Sequence, residues 1–367
     1  MSGKPPYRIP SMAEIRALPW NGFTVASTFS GGGGSCLGYR MAGFRVAYAN
    51  EFIEEAQKTY RANCEAFLDT RDIRKVTPES VLEILKMERG QLDLFDGSPP
   101  CCAFSTAGRR EKGWNTKRAY SDGAKQRIDD LFFEYARLLR GLQPKAFVAE
   151  NVSGLVKGTA KGYFKLILQE LKSCGYEVKA ALLDASRLDV PQKRERLIFV
   201  GVRRDLAERF GVQPCFPRPL PYVRTLGEAL EGVEQDEEDR GARLDECKKY
   251  AIGAVLRKMP KDPPRPVFGY EVLGKGSYFN LCRESLRRPC TTVCQAGGGS
   301  STASACHPLE DRKFTTPELK RIFSVPDDFI LTGTSEQRWE RLGRMVPPLM
   351  MKAVAETVRD QILGRVQ

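Results

Sequence analysis

Apolar and polar positions along the first 203 residues alternate between two patterns. Short apolar runs of strand type alternate with segments whose apolar residues recur at helical spacing. Residues 23–29 read as a first strand, 36–42 as a helix, 46–49 as a second strand and 52–63 as a helix. Residues 92–95 form a short buried strand, which Pro99 and Pro100 stop. In 128–142, Leu131, Phe132, Tyr135, Leu138 and Leu139 share one helical face, and Pro144 ends the segment. A buried-type strand at 146–149 follows, running into Glu150-Asn151-Val152. Then come a helix at 163–171 and strands at 177–183 and 197–202. Alternating βα units of this kind predict an α/β fold with a doubly wound, mostly parallel sheet. Residues 1–20 are polar and Pro-rich and read as a loosely held lead-in.

The pattern changes near residue 204. Residues 204–286 hold few long apolar runs, many prolines and an acidic run at 234–239, which reads as a solvated loop. This stretch is expected to form a smaller, irregular domain. Beyond it come a short strand at 288–293, a flexible glycine turn at 296–300, and helices at 317–323 and 335–342. A last helix, 347–363, has Pro in its first turn and places Met350, Val354, Val358 and Ile362 on one face, expected to pack on the sheet. The expected divisions are 1–203, 204–286 and 287–367.

Charge and cysteine usage narrow the classes. A formal net charge of +12 suits a polyanionic partner, and suits a merely basic enzyme about as well. The eleven cysteines are scattered and odd in number, which points to free thiols in a reducing, cytoplasmic setting. No secretory leader and no apolar run near 18 residues point to a membrane. With His307 as the only histidine, histidine-based acid–base chemistry and a histidine-rich metal site are both disfavoured, and no metal is expected.

Candidate chemistry collects where predicted strands end. After the first strand comes Ser30-Gly31-Gly32-Gly33-Gly34-Ser35, then a helix: a strand–glycine turn–helix opening that lets backbone approach a nucleotide. A glycine run alone is equally a flexible turn. Asn50-Glu51 ends the second strand, and an acid roughly 20 residues after the glycines suits ribose hydroxyls; it also suits the start of the next helix. Asp72, before Ile73, ends a third segment and could meet an adenine amino group. Cys101 directly follows the double proline at the carboxyl end of a strand, where open α/β sheets bind ligands, and is expected to be a nucleophile toward a nucleic-acid base. The polar stretch 105–125 is rich in Gly, Arg and Lys. Glu150 ends another strand on the same rim. Gln192-Lys193-Arg194-Glu195-Arg196 leads into the strand at 197, and its two arginines, two apart, are expected to share a face.

In this order the pieces resemble the DNA cytosine-5 methyltransferases over nearly the whole chain. The residues that carry the resemblance are the glycine motif from Phe29 to Gly34, Glu51, Asp72, Pro100-Cys101, Glu150-Asn151-Val152, Gln192 with Arg194 and Arg196, and Arg288-Pro289 with Thr292. It implies a Rossmann-like domain dependent on S-adenosyl-L-methionine, with 204–286 forming most of a target-recognition domain and the final helix completing the large one. Cofactor contacts are expected at Phe29, Ser30, Gly31, Gly33, Gly34, Asn50, Glu51, Asp72, Ile73, Pro99, Arg344 and Val346. Cys101 would add to C6 of a flipped-out cytosine in duplex DNA. Glu150 would donate to N3, Arg196 hold O2, and Arg194 lower the thiol's pKa and orient the site. Ser105, Arg109, Arg110, Lys112, Trp114, Arg118 and Thr292 would meet DNA, the loop closing over it. A monomer is expected; a cognate restriction endonuclease is a candidate partner whose presence the sequence does not decide.

Two departures matter. Cys102 stands where the family usually has Gln, and reads as a spectator or as an assistant thiol. Gly343-Arg344-Met345-Val346 stands for Gly-Asn-x-Val, so a permanent cation faces a sulfonium donor. Like charges at about 4–6 Å repel unless an anion intervenes. A carboxylate on the transferred group would supply one, giving carboxy-S-adenosyl-L-methionine as donor and 5-carboxymethylcytosine as product. Alternatively Arg344 turns to a phosphate or an acidic side chain. A tRNA-directed methyltransferase of the same fold is a further alternative.

Overall fold

The computed structural model describes residues 4–100, 117–119, 125–127, 131–156, 161–274, 278, 280–298, 301 and 304–366. The chain divides into two compact units, one of 16–183, 195–218 and 351–367 and the other of 1–15, 184–194 and 219–350. This division differs from the expected one: 204–218 go with the larger sheet and 184–194 with the smaller one.

The first unit is built on a seven-stranded sheet. Its strands are β1 (Thr24–Thr28), β2 (Arg45–Asn50), β3 (Phe67–Asp69), β4 (Leu94–Gly97), β5 (Ala146–Val152), β6 (Tyr176–Asp184) and β7 (Glu195–Arg203), in the order β3-β2-β1-β4-β5-β7-β6. β1 pairs in parallel with β2 and β4, and β4 with β5, while β7 runs antiparallel to β5. The helices are α1 (Gly34–Met41), α2 (Glu54–Asn63), α3 (Pro78–Leu85), α4 (Leu131–Leu142) and α5 (Lys161–Ser173). Strand alternation sorts the two faces of the sheet. Ala26, Phe95, Phe147, Ala149, Leu197 and Phe199 join the α4 residues Leu131, Phe132, Tyr135 and Leu139 in one core. Phe95 stacks on Tyr135 with ring centroids 4.8 Å apart. The other face carries Ser27, Asp96 and Glu150, since Ser27 pairs with Asp96, and Asp96 with Val148, two residues before Glu150. One face is thus a hydrophobic core, and the other turns polar toward the carboxyl ends of the central strands.

The second unit holds a three-stranded sheet. β8 (Val267–Phe268) is antiparallel to β9 (Cys282–Arg283), which is parallel to β10 (Ala305–Cys306). Its apolar cluster is small, with Cys247, Ile252, Leu256, Met259, Leu281 and Cys306. Buried ion pairs supplement it: Arg312 with Glu318 at 2.7 Å, Lys313 with Glu246 at 3.1 Å and Arg243 with Asp239 at 3.1 Å. Two sequence expectations change here, and the single histidine finds its place. The acidic run begins a helix, α6 (Glu237–Lys249), whose N-cap Asp236 accepts from Asp239 N–H; acids at a helix start complement its dipole. His307 has partners: its Nδ1 accepts from the amides of Leu309 (3.2 Å) and Glu310 (3.1 Å), and burial pushes it down to about 4. The N-terminal lead-in is pinned, because Tyr7 donates to Arg321 O at 2.8 Å and Arg224, sandwiched by Tyr7 and Tyr222, donates to Pro5 O. Two helices follow, α7 (Thr316–Ile322) and α8 (Ser335–Arg344); the last helix, α9 (Pro348–Gln361), belongs to the first unit from residue 351 on. Among the described residues no helix is long and apolar enough to cross a membrane.

Candidate active site

β1 ends one residue earlier than its apolar pattern. Phe29 takes a left-handed backbone, φ 54°, and starts the glycine turn. Ser30 N–H donates to Asn50 O (3.0 Å) and Gly33 N–H to Ser30 O (3.0 Å). Gly31 has φ 56° with open space where a Cβ would stand. Gly33 has φ 97°, and a Cβ there would lie 2.8 Å from Cys64 Sγ. Gly34 opens α1, so the helix N-terminus directly follows the loop.

Glu51 is buried beside that loop. Its carboxylate accepts from Gly31 N–H (2.7 Å) and from Ile53 N–H (2.7 Å), so it serves both the loop and the start of α2. Asn50 is spent locally, donating through Nδ2 to Asp69 O and Arg71 O. Asp72 caps a short 3-10 turn, accepting from Arg74 N–H (3.0 Å), and pairs with the Arg74 guanidinium at 3.2 Å. Ile73 lies buried in the core.

At the next strand end, Asn151 Nδ2 donates to Pro99 O (3.1 Å), fixing the double proline to β5. Glu150 and Arg196 meet with Oε1 and Nε 2.7 Å apart, both side chains about one-tenth exposed. Antiparallel pairing of Val152 with Arg196 brings the start of β7 to the rim where β5 ends. The pair sets a carboxyl group and a guanidinium side by side at that rim.

Arg194 departs from expectation. β7 begins at Glu195, so Arg194 lies before the strand and does not share the Arg196 face. It belongs to the second unit, 1 % exposed, and donates to Gly343 O (2.6 Å) and Val293 O (3.0 Å) above the Phe323 ring. It acts as a brace of backbone carbonyls. Exposed Thr292 donates to Lys193 O at 2.7 Å. Val346 is buried in the second unit, and Arg344 meets Glu340, one turn back on α8, at 2.6 Å. The chain thus supplies an anion beside Arg344, and the charge argument for a carboxylated donor loses its premise. Cys101, Cys102, Ser105, Arg109, Arg110, Lys112 and Trp114 lie outside the described residues, as does the side chain of Arg118.

The sequence reading missed Asp96. It is 1 % exposed and accepts from Tyr39 Oη (2.9 Å) and Ser27 Oγ (2.8 Å). Ser30 Oγ donates in turn to Ser27 Oγ (3.1 Å). Burial, and secondarily Glu150, push the Asp96 carboxyl up to about 7. The available signal was an acid within an otherwise apolar strand.

The sheet order, the glycine turn opening a helix and the buried acid after β2 define an S-adenosylmethionine-dependent methyltransferase. The residues fit that cofactor: Gly31 leaves room for a ligand against the backbone, and Glu51 offers its carboxylate beside the turn. Residues 23–360 match the model of the C-5 cytosine-specific DNA methylases, and the chain belongs to that family. It is accordingly a DNA (cytosine-5-)-methyltransferase that uses S-adenosyl-L-methionine. The Type II methyltransferase M.NgoPII of Neisseria gonorrhoeae is 35% identical over 366 residues, covering 96% of this chain and 99% of the relative. M.Eco47II of Escherichia coli is 31% identical over 350 residues, covering 92% and 79%. A crystal structure of a prophage-encoded DNA modification methyltransferase (E. coli) superposes with a TM-score of 0.69 at 21% identity, covering 92% of this chain and 99% of that one.

Proposed function

We propose that Cys101 is the nucleophile, Glu150 the acid and Arg196 the residue that orients it, with the Glu150–Arg196 pair as the observation that carries the reading. Cytosine C5 is a weak nucleophile. Addition of the Cys101 thiolate at C6 makes the ring enamine-like and activates C5. Negative charge then builds on the ring, and a proton from Glu150 to N3 disperses it. Arg196 keeps the carboxyl aimed and contacts O2. S-adenosyl-L-methionine, when bound, supplies an electrophilic methyl group, and Phe29 to Gly34 with Glu51 are the residues that would hold it. Loss of the C5 proton to solvent, elimination of Cys101 as thiolate and return of the N3 proton to Glu150 restore the enzyme. The target base is flipped out of a duplex, at a cost of a few kcal/mol for unstacking.

Of the expected region 204–286, the part within the second unit, 219–286, is assigned to target recognition, and the basic residues of 105–125 to DNA phosphates. The protein acts as a monomer in the cytoplasm and pairs with a restriction endonuclease; the relatives named Type II methyltransferases support the latter. Mass spectrometry of nucleosides from treated plasmid and treated tRNA tests the whole reading. 5-Methylcytosine from plasmid alone, lost in Cys101→Ser and Glu150→Gln, is expected. Full turnover in Cys101→Ser would overturn it.

A further inference from the structure

Asp96 is a buried carboxyl that the reaction above leaves unused. It stands on β4, the strand leading into Pro99 and Pro100. Two hydroxyls link it to the glycine turn, Ser30 to Ser27 to Asp96, and Tyr39 of α1 donates to its other oxygen. Among the described residues no Lys or Arg pairs with it. Burying a carboxyl with hydroxyl donors but no cation is costly, and a carboxylate so placed attracts positive charge. The family's cofactor carries one, a sulfonium, and loses it on giving up its methyl group.

We propose that Asp96 is a positioning residue whose carboxylate favours the sulfonium form of the cofactor over its uncharged thioether product, S-adenosylhomocysteine. The inference rests on reading the Phe29 to Gly34 turn as the cofactor's seat. Charge balances simply: on binding the cation, the Asp96 carboxyl releases a fraction of a proton to solvent.

The titratable groups facing Asp96 are Tyr39 and Cys36 from α1 and Glu150 from β5, and Tyr135 of α4 acts on it electrostatically from the opposite face of the sheet. Burial pushes both tyrosines far above their ordinary value and Cys36 up to about 11, so these three stay neutral across the physiological range. Asp96 itself, near 7, changes charge within it. A cation stabilises the ionised form. Affinity for S-adenosylmethionine should therefore climb as pH rises toward 7 and level off above it. The thioether shares every other titrating group of the cofactor, so the ratio of the two affinities isolates the sulfonium.

Calorimetric titration of the full chain with each ligand, from about pH 5.5 to about 8.5, tests this. The preference for S-adenosylmethionine should grow about tenfold over that range, equivalent to about one unit of displaced carboxyl titration. Runs in two buffers of different ionisation heat should show proton release for the sulfonium ligand and less for the thioether. Asp96→Asn should flatten the ratio, and Glu150→Gln should keep its slope. Tyr39→Phe, which removes one donor to the carboxylate, should move the rise to higher pH. A pH-independent ratio in the wild-type protein, a wild-type slope in Asp96→Asn, or an unmoved midpoint in Tyr39→Phe would overturn the proposal. Undiminished binding of both ligands in a Glu51→Ala, Gly31→Val double variant would remove the cofactor seat itself and this proposal with it. A flat wild-type ratio leaves that seat standing.

Discussion

Glu150 touches Arg196 at 2.7 Å, and the charge relation between them sets what each substitution does. Replacing Glu150 by Gln keeps size and hydrogen bonding but removes the transferable proton. Turnover should fall about 10²–10⁴-fold, the usual span for a lost general acid, while duplex binding in a mobility-shift assay stays within about threefold. Equal losses in both would assign Glu150 to DNA binding. Gly33 offers a second test at this scale. Its φ of 97° is a conformation that side chains adopt with strain, and a Cβ would press on Cys64 Sγ at 2.8 Å. Gly33→Ala should lower stability by about 1–2 kcal/mol in urea unfolding. A Gly33→Ala, Cys64→Ala double variant should recover only the contact part, since the backbone strain remains. Full recovery would locate the whole cost in the sulfur contact.

At the scale of elements, β1, β2, β4, β5, β6 and β7 were legible from short, largely apolar runs, whereas β3 and the two-residue strands β8 to β10 are too short to leave a period in the sequence. Glu51 and Glu150 were legible because they stand where such runs end. Arg194 was not, since alternation describes only residues within a strand and β7 starts one residue later. Its bonds go to Val293 and Gly343, about 100 and 150 positions away, which local periodicity cannot report. The buried ion pairs around Arg312 and Glu318 were hidden similarly, because charged residues read as surface. Asp236 and Thr315 announce helix starts once three-residue spacing to Asp239 and Glu318 is read as capping. The residue after β9 carries a pH prediction. Glu284 is fully buried, pushed up to about 7 by burial, and accepts from Thr291 N–H at 3.1 Å. A carboxyl raised in the folded state stabilises below its unfolded value and loses that contribution as pH rises through 7. Glu284→Gln should therefore gain on wild type at pH 8 relative to pH 5, by on the order of 2 kcal/mol. Urea unfolding at the two pH values measures it. A difference between the proteins that does not change with pH would show that Glu284 ionises in the folded protein as it does in the unfolded chain.

Over the whole molecule, 58 Lys and Arg face 46 Asp and Glu, and the surplus is what a polyanion meets at long range. Many of the described cations are already answered inside the fold. Arg312, Arg283, Lys313 and Arg243 are buried with acidic partners, and Arg194 is held by carbonyls. Net charge alone therefore does not measure the DNA footprint; the cations without such partners do. Counterion release gives that number directly, because the logarithm of affinity falls linearly with the logarithm of salt, at about 0.9 per neutralised phosphate. With six to ten phosphate contacts, raising salt from 50 to 200 mM should weaken duplex binding about 10³–10⁵-fold. Arg109→Ala with Lys112→Ala should lower the slope by about two and weaken all duplex sequences alike. Fluorescence anisotropy over a salt series, on a cognate and a random duplex, checks this. An unchanged slope would remove these two side chains from the phosphate contacts. A loss confined to the cognate duplex would move them to base recognition instead.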